Sequence, residues 1–156
     1  TPSPFDCWLA ERGLNSFEVR FAAAQDTARI IADGLAGQPG LTKVLYPGRN
    51  DHPDHDLAAT LFGGSFGNMV SFEIAGGRDE VNRFIAAAGK IPFAPTLGDV
   101  ATTLSHPASS SHRALSAEAR AALGMSEGFF RLSVGIEPAA LLLGELNAAL
   151  AAVNGE

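Results

Sequence analysis

Gly128-Phe129-Phe130-Arg131-Leu132-Ser133-Val134-Gly135-Ile136-Glu137 is the stretch on which the fold turns. Phe130, Leu132 and Val134 alternate with Arg131, Ser133 and Gly135, the period of a strand with one buried face. The alternation sends Arg131 away from the apolar layer, beside small neighbours that leave room for a ligand. A guanidinium so placed can grip a carboxylate through two parallel hydrogen bonds. On pattern alone a surface arginine is the commoner outcome, because arginines are mostly exposed.

Working outward, Val70, Phe72 and Ile74 alternate with Met69, Ser71 and Glu73 in a second half-buried strand, and Lys43-Val44-Leu45-Tyr46 is a third, ended by Pro47-Gly48. Phe17, Phe21, Ala24, Ala28, Ile31 and Leu35 recur at spacings of three and four, which predicts a long amphipathic helix. Asn15-Ser16-Phe17-Glu18 reads as its capping box, and Gly37, Pro39 and Gly40 stop it. Before it, Ser3-Pro4-Phe5-Asp6 starts a leading helix that Gly13 ends, with Phe5, Trp8 and Leu9 on one face. Pro53 opens a short helix to about Leu61; Val81, Phe84, Ile85 and Ala88 make another helical face. Ile91 to Leu104 reads as strand and loop, bent by Pro92, Pro95 and Gly98. Ser116 caps a helix to about Leu123, and Pro138 opens a last one with Leu142, Leu143, Leu146, Leu150 and Val153 inward. Helices alternating with short strands predict an α/β domain: a small sheet with helices packed mainly on one face. The best boundary separates a leading helix, residues 1–14, from the domain proper, residues 15–156.

The length of 156 residues fits one domain, and 46% apolar residues suggests surface meant for another domain or subunit. A net charge of −6 without a Lys/Arg cluster argues against nucleic acid and anionic membranes. One cysteine, Cys7, makes neither an internal disulfide nor a thiolate metal site, so a reducing, cytoplasmic setting is expected. The apolar C-terminal run is broken by Gly144, Glu145 and Asn147, too short for a membrane span. Thr1-Pro2-Ser3-Pro4 carries no basic signal region and no initiator Met, as in a chain cut from something longer.

Other polar clusters are weaker signals. Thr96-Leu97-Gly98-Asp99 can offer a hydroxyl and backbone amides to an anion, although an ordinary turn explains it as well. His106 and His112 flank a serine-rich loop with no third ligand and no nucleophile elbow, so a structured loop is the simpler reading. His52-Pro53-Asp54-His55 reads as a helix start rather than a zinc site. The glycines spell no nucleotide-binding motif, and Cys7 reads as a packed thiol.

Taken together, several blocks resemble the Cys/Met-metabolism enzymes that use pyridoxal 5'-phosphate (PLP): Ser3-Pro4-Phe5-Asp6 with Arg12-Gly13-Leu14; Val44 to Gly48; His52-Pro53 with His55; Gly67 to Glu73; Leu97-Gly98-Asp99; His106-Pro107-Ala108 with His112; and Ser126-Glu127-Gly128 leading to Arg131 through Glu137. The resemblance implies the C-terminal domain of a fold-type I PLP enzyme with a mainly antiparallel sheet. It implies that Arg131 binds the α-carboxylate of an amino-acid substrate, with Thr96 helping, Pro95 at a position that tunes the reaction, and Ser111 lining the same end of the site. No metal is implied.

The same resemblance exposes a departure. The family's PLP forms a Schiff base with a lysine in a Ser-x-Thr-Lys segment, and neither Lys43 nor Lys90 matches it. The expectation is therefore a chain without catalytic or cofactor-binding residues of its own, not binding PLP alone, partnered by an N-terminal PLP domain and assembled as a dimer of dimers. The complete enzyme would act at the β- or γ-carbon of an amino acid, as sulfhydrylases of O-succinyl- or O-acetylhomoserine and cystathionine γ-synthase or lyases do. The other reading is a non-catalytic fragment that only folds or associates.

Overall fold

In the computed structural model, which describes residues 1–155, the two alternating stretches lie side by side at the centre of one sheet. The elements run α1 (Pro4–Leu14), α2 (Phe17–Leu35), β1 (Leu41–Leu45), α3 (His55–Phe62), β2 (Met69–Ile74), α4 (Arg78–Ala87), β3 (Thr103–Ser105), a single 3-10 turn (Pro107–Ser109), α5 (Ala117–Ala122), β4 (Phe129–Ser133) and α6 (Ala139–Asn154). The sheet order is β1-β2-β4-β3 and every pairing is antiparallel. Phe93 adds a single parallel bridge to Leu104, covering the outer edge of β3.

The register separates two chemistries. Phe72 pairs with Phe130, Val70 with Leu132, and Leu104 with Leu132, so one face is continuous and apolar. Ala28, Ile31 and Leu35 of α2, Val81 and Phe84 of α4, and Leu142, Leu146 and Leu150 of α6 close over it in one buried cluster. Phe72, Phe84 and Phe130 form its centre, with ring centroids 4.9–5.6 Å apart, within the range in which aromatic pairs add to simple burial. The expected one-sided packing of helices is what forms.

Three boundaries differ from the sequence reading. Asn15 stays in the right-handed helical region and caps α1, which runs through Gly13; Ser16 caps α2 without any side-chain hydrogen bond, so the second capping box does not form. The α3 helix begins at His55, because Asp54 is not helical and Pro53 lies in the preceding turn. The Ile91–Leu104 stretch contributes only a three-residue strand, Thr103–Ser105, since its backbone groups find side-chain partners described below. The helical face of α2 is right from Ala24 onward, but Phe17 is half-exposed and stacks on Phe21 at 5.5 Å instead of entering the core. Among the described residues no helix is long and apolar enough to cross a membrane.

Candidate functional site

The second face of the sheet is polar. Arg131 lies between Ser71 of β2 and Ser105 of β3, each directly opposite it. One pair further along, Ser133 faces Met69 and Thr103. Directly opposed side chains in a sheet share a face with Cβ atoms about 5 Å apart, so Arg131 is ringed by small hydroxyl residues. Ser105 turns its hydroxyl to the Arg131 carbonyl at 3.3 Å. The guanidinium keeps one conspicuous feature: its Nε is buried and has no hydrogen-bond partner. Leaving a buried donor of a charged group unpaired costs about 1–3 kcal/mol or more. The side of the fork that includes Nε is also the side from which a carboxylate takes two parallel bonds.

The loop that follows Pro95 folds over the β3–β4 end of this face. Thr103 donates its hydroxyl to the Thr96 carbonyl at 3.1 Å, and Ser133 accepts the Gly98 N–H at 3.0 Å. Gly98 takes φ +81°, which a residue with a Cβ rarely adopts. Thr96 is thereby anchored within two residues of the Arg131 row, with its own side chain exposed; Pro95 is exposed beside it. Ser111 is exposed and its hydroxyl pairs with His112 Nδ1 at 2.8 Å. Sequence reasoning singled out Arg131, Thr96, Pro95 and Ser111. It missed the part played by Ser71 and Ser105, which becomes visible only once the strand register is known.

The histidines have structural settings. His106 is fully buried; its Nε2–H donates to the Glu127 carbonyl at 2.6 Å and its Nδ1 accepts the Ser109 hydroxyl at 2.7 Å. Burial pushes its pKa below the ordinary value, opposed by the bond to Glu127. His55 donates from Nδ1 to the Pro47 carbonyl at 2.8 Å and stacks on Phe66, while His52 Nδ1 accepts the Asp54 N–H. Among the described residues no group of three His, Cys, Asp or Glu stands close enough to hold a metal. Cys7 is exposed on α1, not packed, because that helix has no buried residue. A cleft of about 210 Å³ between α2 and the loop is lined by Phe17, Arg20, Phe21, Asn68, Gly98 and Asp99; Arg131 lies outside it.

Residues 1–151 match the family described as Cys/Met metabolism PLP-dependent enzyme. The chain belongs to that family. O-succinylhomoserine sulfhydrylase of Pseudomonas aeruginosa is 40% identical over 153 residues, covering 98% of this chain and 38% of that protein. Cystathionine gamma-lyase of Bacillus subtilis is 39% identical over 147 residues, covering 94% and 38%. A crystal structure of cystathionine gamma synthase from Xanthomonas oryzae pv. oryzae in complex with aminoacrylate and cysteine matches with a TM-score of 0.89 at 42% identity, covering 99% of this chain and 40% of that one. The fold is accordingly that of fold-type I PLP enzymes, and the chain spans about two-fifths of the length of these relatives.

A family that depends on PLP raises the question of whether these residues fit the cofactor. A lysine that forms a Schiff base must bring a neutral amine into the substrate's own cavity. Lys90 instead places Nζ 3.2 Å from Glu145 Oε2 of α6, on the helical side of the sheet. Lys43 stands on edge strand β1 opposite Glu73, two strands from Arg131. Neither lysine is therefore placed to hold PLP as a Schiff base beside Arg131.

Proposed function

We propose that this chain is the C-terminal domain of a complete PLP-dependent enzyme of cysteine and methionine metabolism, and that it supplies the substrate's α-carboxylate site. The single observation that carries the reading is the buried, unpartnered Nε of Arg131 on the polar face of the sheet, between Ser71 and Ser105. An amino-acid carboxylate satisfies that donor, and a neighbouring Nη–H completes the pair. Thr96 stands at the same end and offers a hydroxyl to the second carboxylate oxygen; Pro95 shapes the approach. Ser111 lines the same end of the site.

The complete enzyme acts at the β- or γ-carbon of its substrate, as a transferase or lyase of the O-succinylhomoserine sulfhydrylase or cystathionine γ-synthase type. The cofactor-holding lysine and phosphate cradle belong to an N-terminal domain outside this chain. The share of the relatives' length spanned here supports that division, as do the settings of Lys43 and Lys90. Cytoplasmic residence and assembly as a dimer of dimers complete the reading. The exposed Phe5, Trp8 and Leu9 of α1 suit a helix that packs on other parts of such an assembly.

The test is Arg131→Ala in the full-length, PLP-loaded protein. Truncating one partner of a buried charge pair costs about 2–5 kcal/mol, so KM for the amino-acid substrate should rise about thirty-fold or more while the cofactor's absorption is unchanged. Arg131→Lys should fall between, because lysine cannot form the bidentate pair. An unchanged KM contradicts the assignment.

A further inference from the structure

Beyond Ser133, the chain that carries Arg131 is fastened to the Thr96–Thr102 loop at several points. Glu137 accepts two hydrogen bonds from one residue: the Thr102 N–H at 2.7 Å on Oε1 and the Thr102 hydroxyl at 2.8 Å on Oε2. The Thr102 Oγ1 in turn accepts the Gly135 N–H at 2.9 Å. Ile136 N–H donates to the Val100 carbonyl at 3.0 Å. Thr102 is fully buried. Its neighbour Thr103 holds the Thr96 carbonyl, and Ser133 holds the Gly98 N–H. Between these anchors Pro95 to Val100 are exposed.

We propose that Glu137 is a positioning residue of the carboxylate site: through Thr102 it fixes the loop that presents Thr96 beside Arg131. The inference rests on the reading of Arg131 as the carboxylate clamp. Glu137 does not touch the substrate. Two carboxylate oxygens taken up by two donors of a single residue define both the position and the direction of the chain at Thr102, where one bond would leave it free to pivot. A loop that pivots spreads Thr96 over many positions, and the substrate must then order it on binding. The penalty therefore falls on substrate affinity and spares the chemical step.

The experiment uses the full-length, PLP-loaded protein with Arg131→Ala as a parallel control. Glu137→Ala is expected to raise KM for the amino-acid substrate about tenfold, with kcat nearly unchanged and the cofactor spectrum intact. Glu137→Gln, which keeps one acceptor, should give a smaller rise. Adding Thr102→Val to Glu137→Ala should raise KM no further, because both act on one link. An unchanged KM in Glu137→Ala, with Arg131→Ala impaired, overturns the proposal and leaves the carboxylate reading standing. A matched loss of kcat and cofactor loading in Glu137→Ala also overturns it, since that marks a general folding role. Where Glu137→Ala does not fold, the KM of Glu137→Gln decides in the same way. An unchanged KM in Arg131→Ala removes the site itself and the proposal with it.

Discussion

A methyl group on Gly135 would run into the Val100 carbonyl oxygen and stand 2.7 Å from the Ala101 carbonyl carbon, both backbone atoms with little room to yield. Gly135→Ala should destabilise the chain by about 1–3 kcal/mol, read as a lower urea midpoint. Gly144, in α6, has nothing within 4 Å of the same added atom. Gly144→Ala should act with the opposite sign, stabilising by about 0.5–1 kcal/mol through helix propensity. His106 gives a pH-dependent prediction. Its folded pKa is depressed by burial, so the unfolded chain binds the proton more readily. Its contribution to stability is therefore fully present above the ordinary value of 6.5 and is lost as pH falls from there toward the folded value. Denaturation curves between about pH 8 and pH 5 should show a steeper acid loss for the native chain than for His106→Gln, which keeps a donor for Glu127 and does not titrate. Equal slopes would mean that the imidazole is not held neutral. Arg131 itself was legible from sequence as an outward residue in an alternating strand. Its unpaired Nε was not, because that depends on what the neighbouring strands leave unoffered.

Elements with a strong period were read from sequence almost to the residue: Met69–Ile74, the Phe130-Leu132-Val134 face, and the inward leucines of α6. Periodicity reports which side of an element is apolar and says nothing of what covers that side. The Phe17–Leu35 stripe shows the limit. Ala24 to Leu35 lie under α6 and the sheet, whereas Phe17 stays half-exposed and α1 has no buried residue. The Ile91–Thr102 stretch fails for another reason. Its polar backbone groups are taken by Ser133, Thr103 and Glu137, which no local pattern announces. The structure predicts a division in amide exchange at this scale. Amides of α1 should exchange as in a frayed helix, because it buries no residue. Those of β2 and β4 should open only with global unfolding. Comparable protection in α1 would show that the helix is packed in solution. At the centre, Phe130→Ala should cost about 3–5 kcal/mol, since Phe72 and Phe84 each lose one of their ring partners.

As a whole the sheet has two unlike sides: α2, α4 and α6 seal the apolar face, and the other carries Arg131 between Ser71 and Ser105. That asymmetry, with the chain's two-fifths share of its relatives' length, is why the site reads as half of a larger one. The proposed division makes a prediction for the 156-residue chain alone. Incubated with PLP and reduced with borohydride, it should carry no dominant label on Lys43 or Lys90 over the N-terminal amine, because Lys43 stands two strands from Arg131 and Lys90 is paired with Glu145 of α6. A single stoichiometric label on either lysine would place a cofactor site inside this chain. The most direct measurement is a crystal structure of the full-length protein, PLP-loaded and with a bound amino-acid substrate or unreactive analogue. The account predicts the α-carboxylate lying in the plane of the Arg131 guanidinium, bonded to Nε and one Nη at about 2.8 Å, with Thr96 beside it. A carboxylate held elsewhere, with the Arg131 Nε still unpaired, would contradict it.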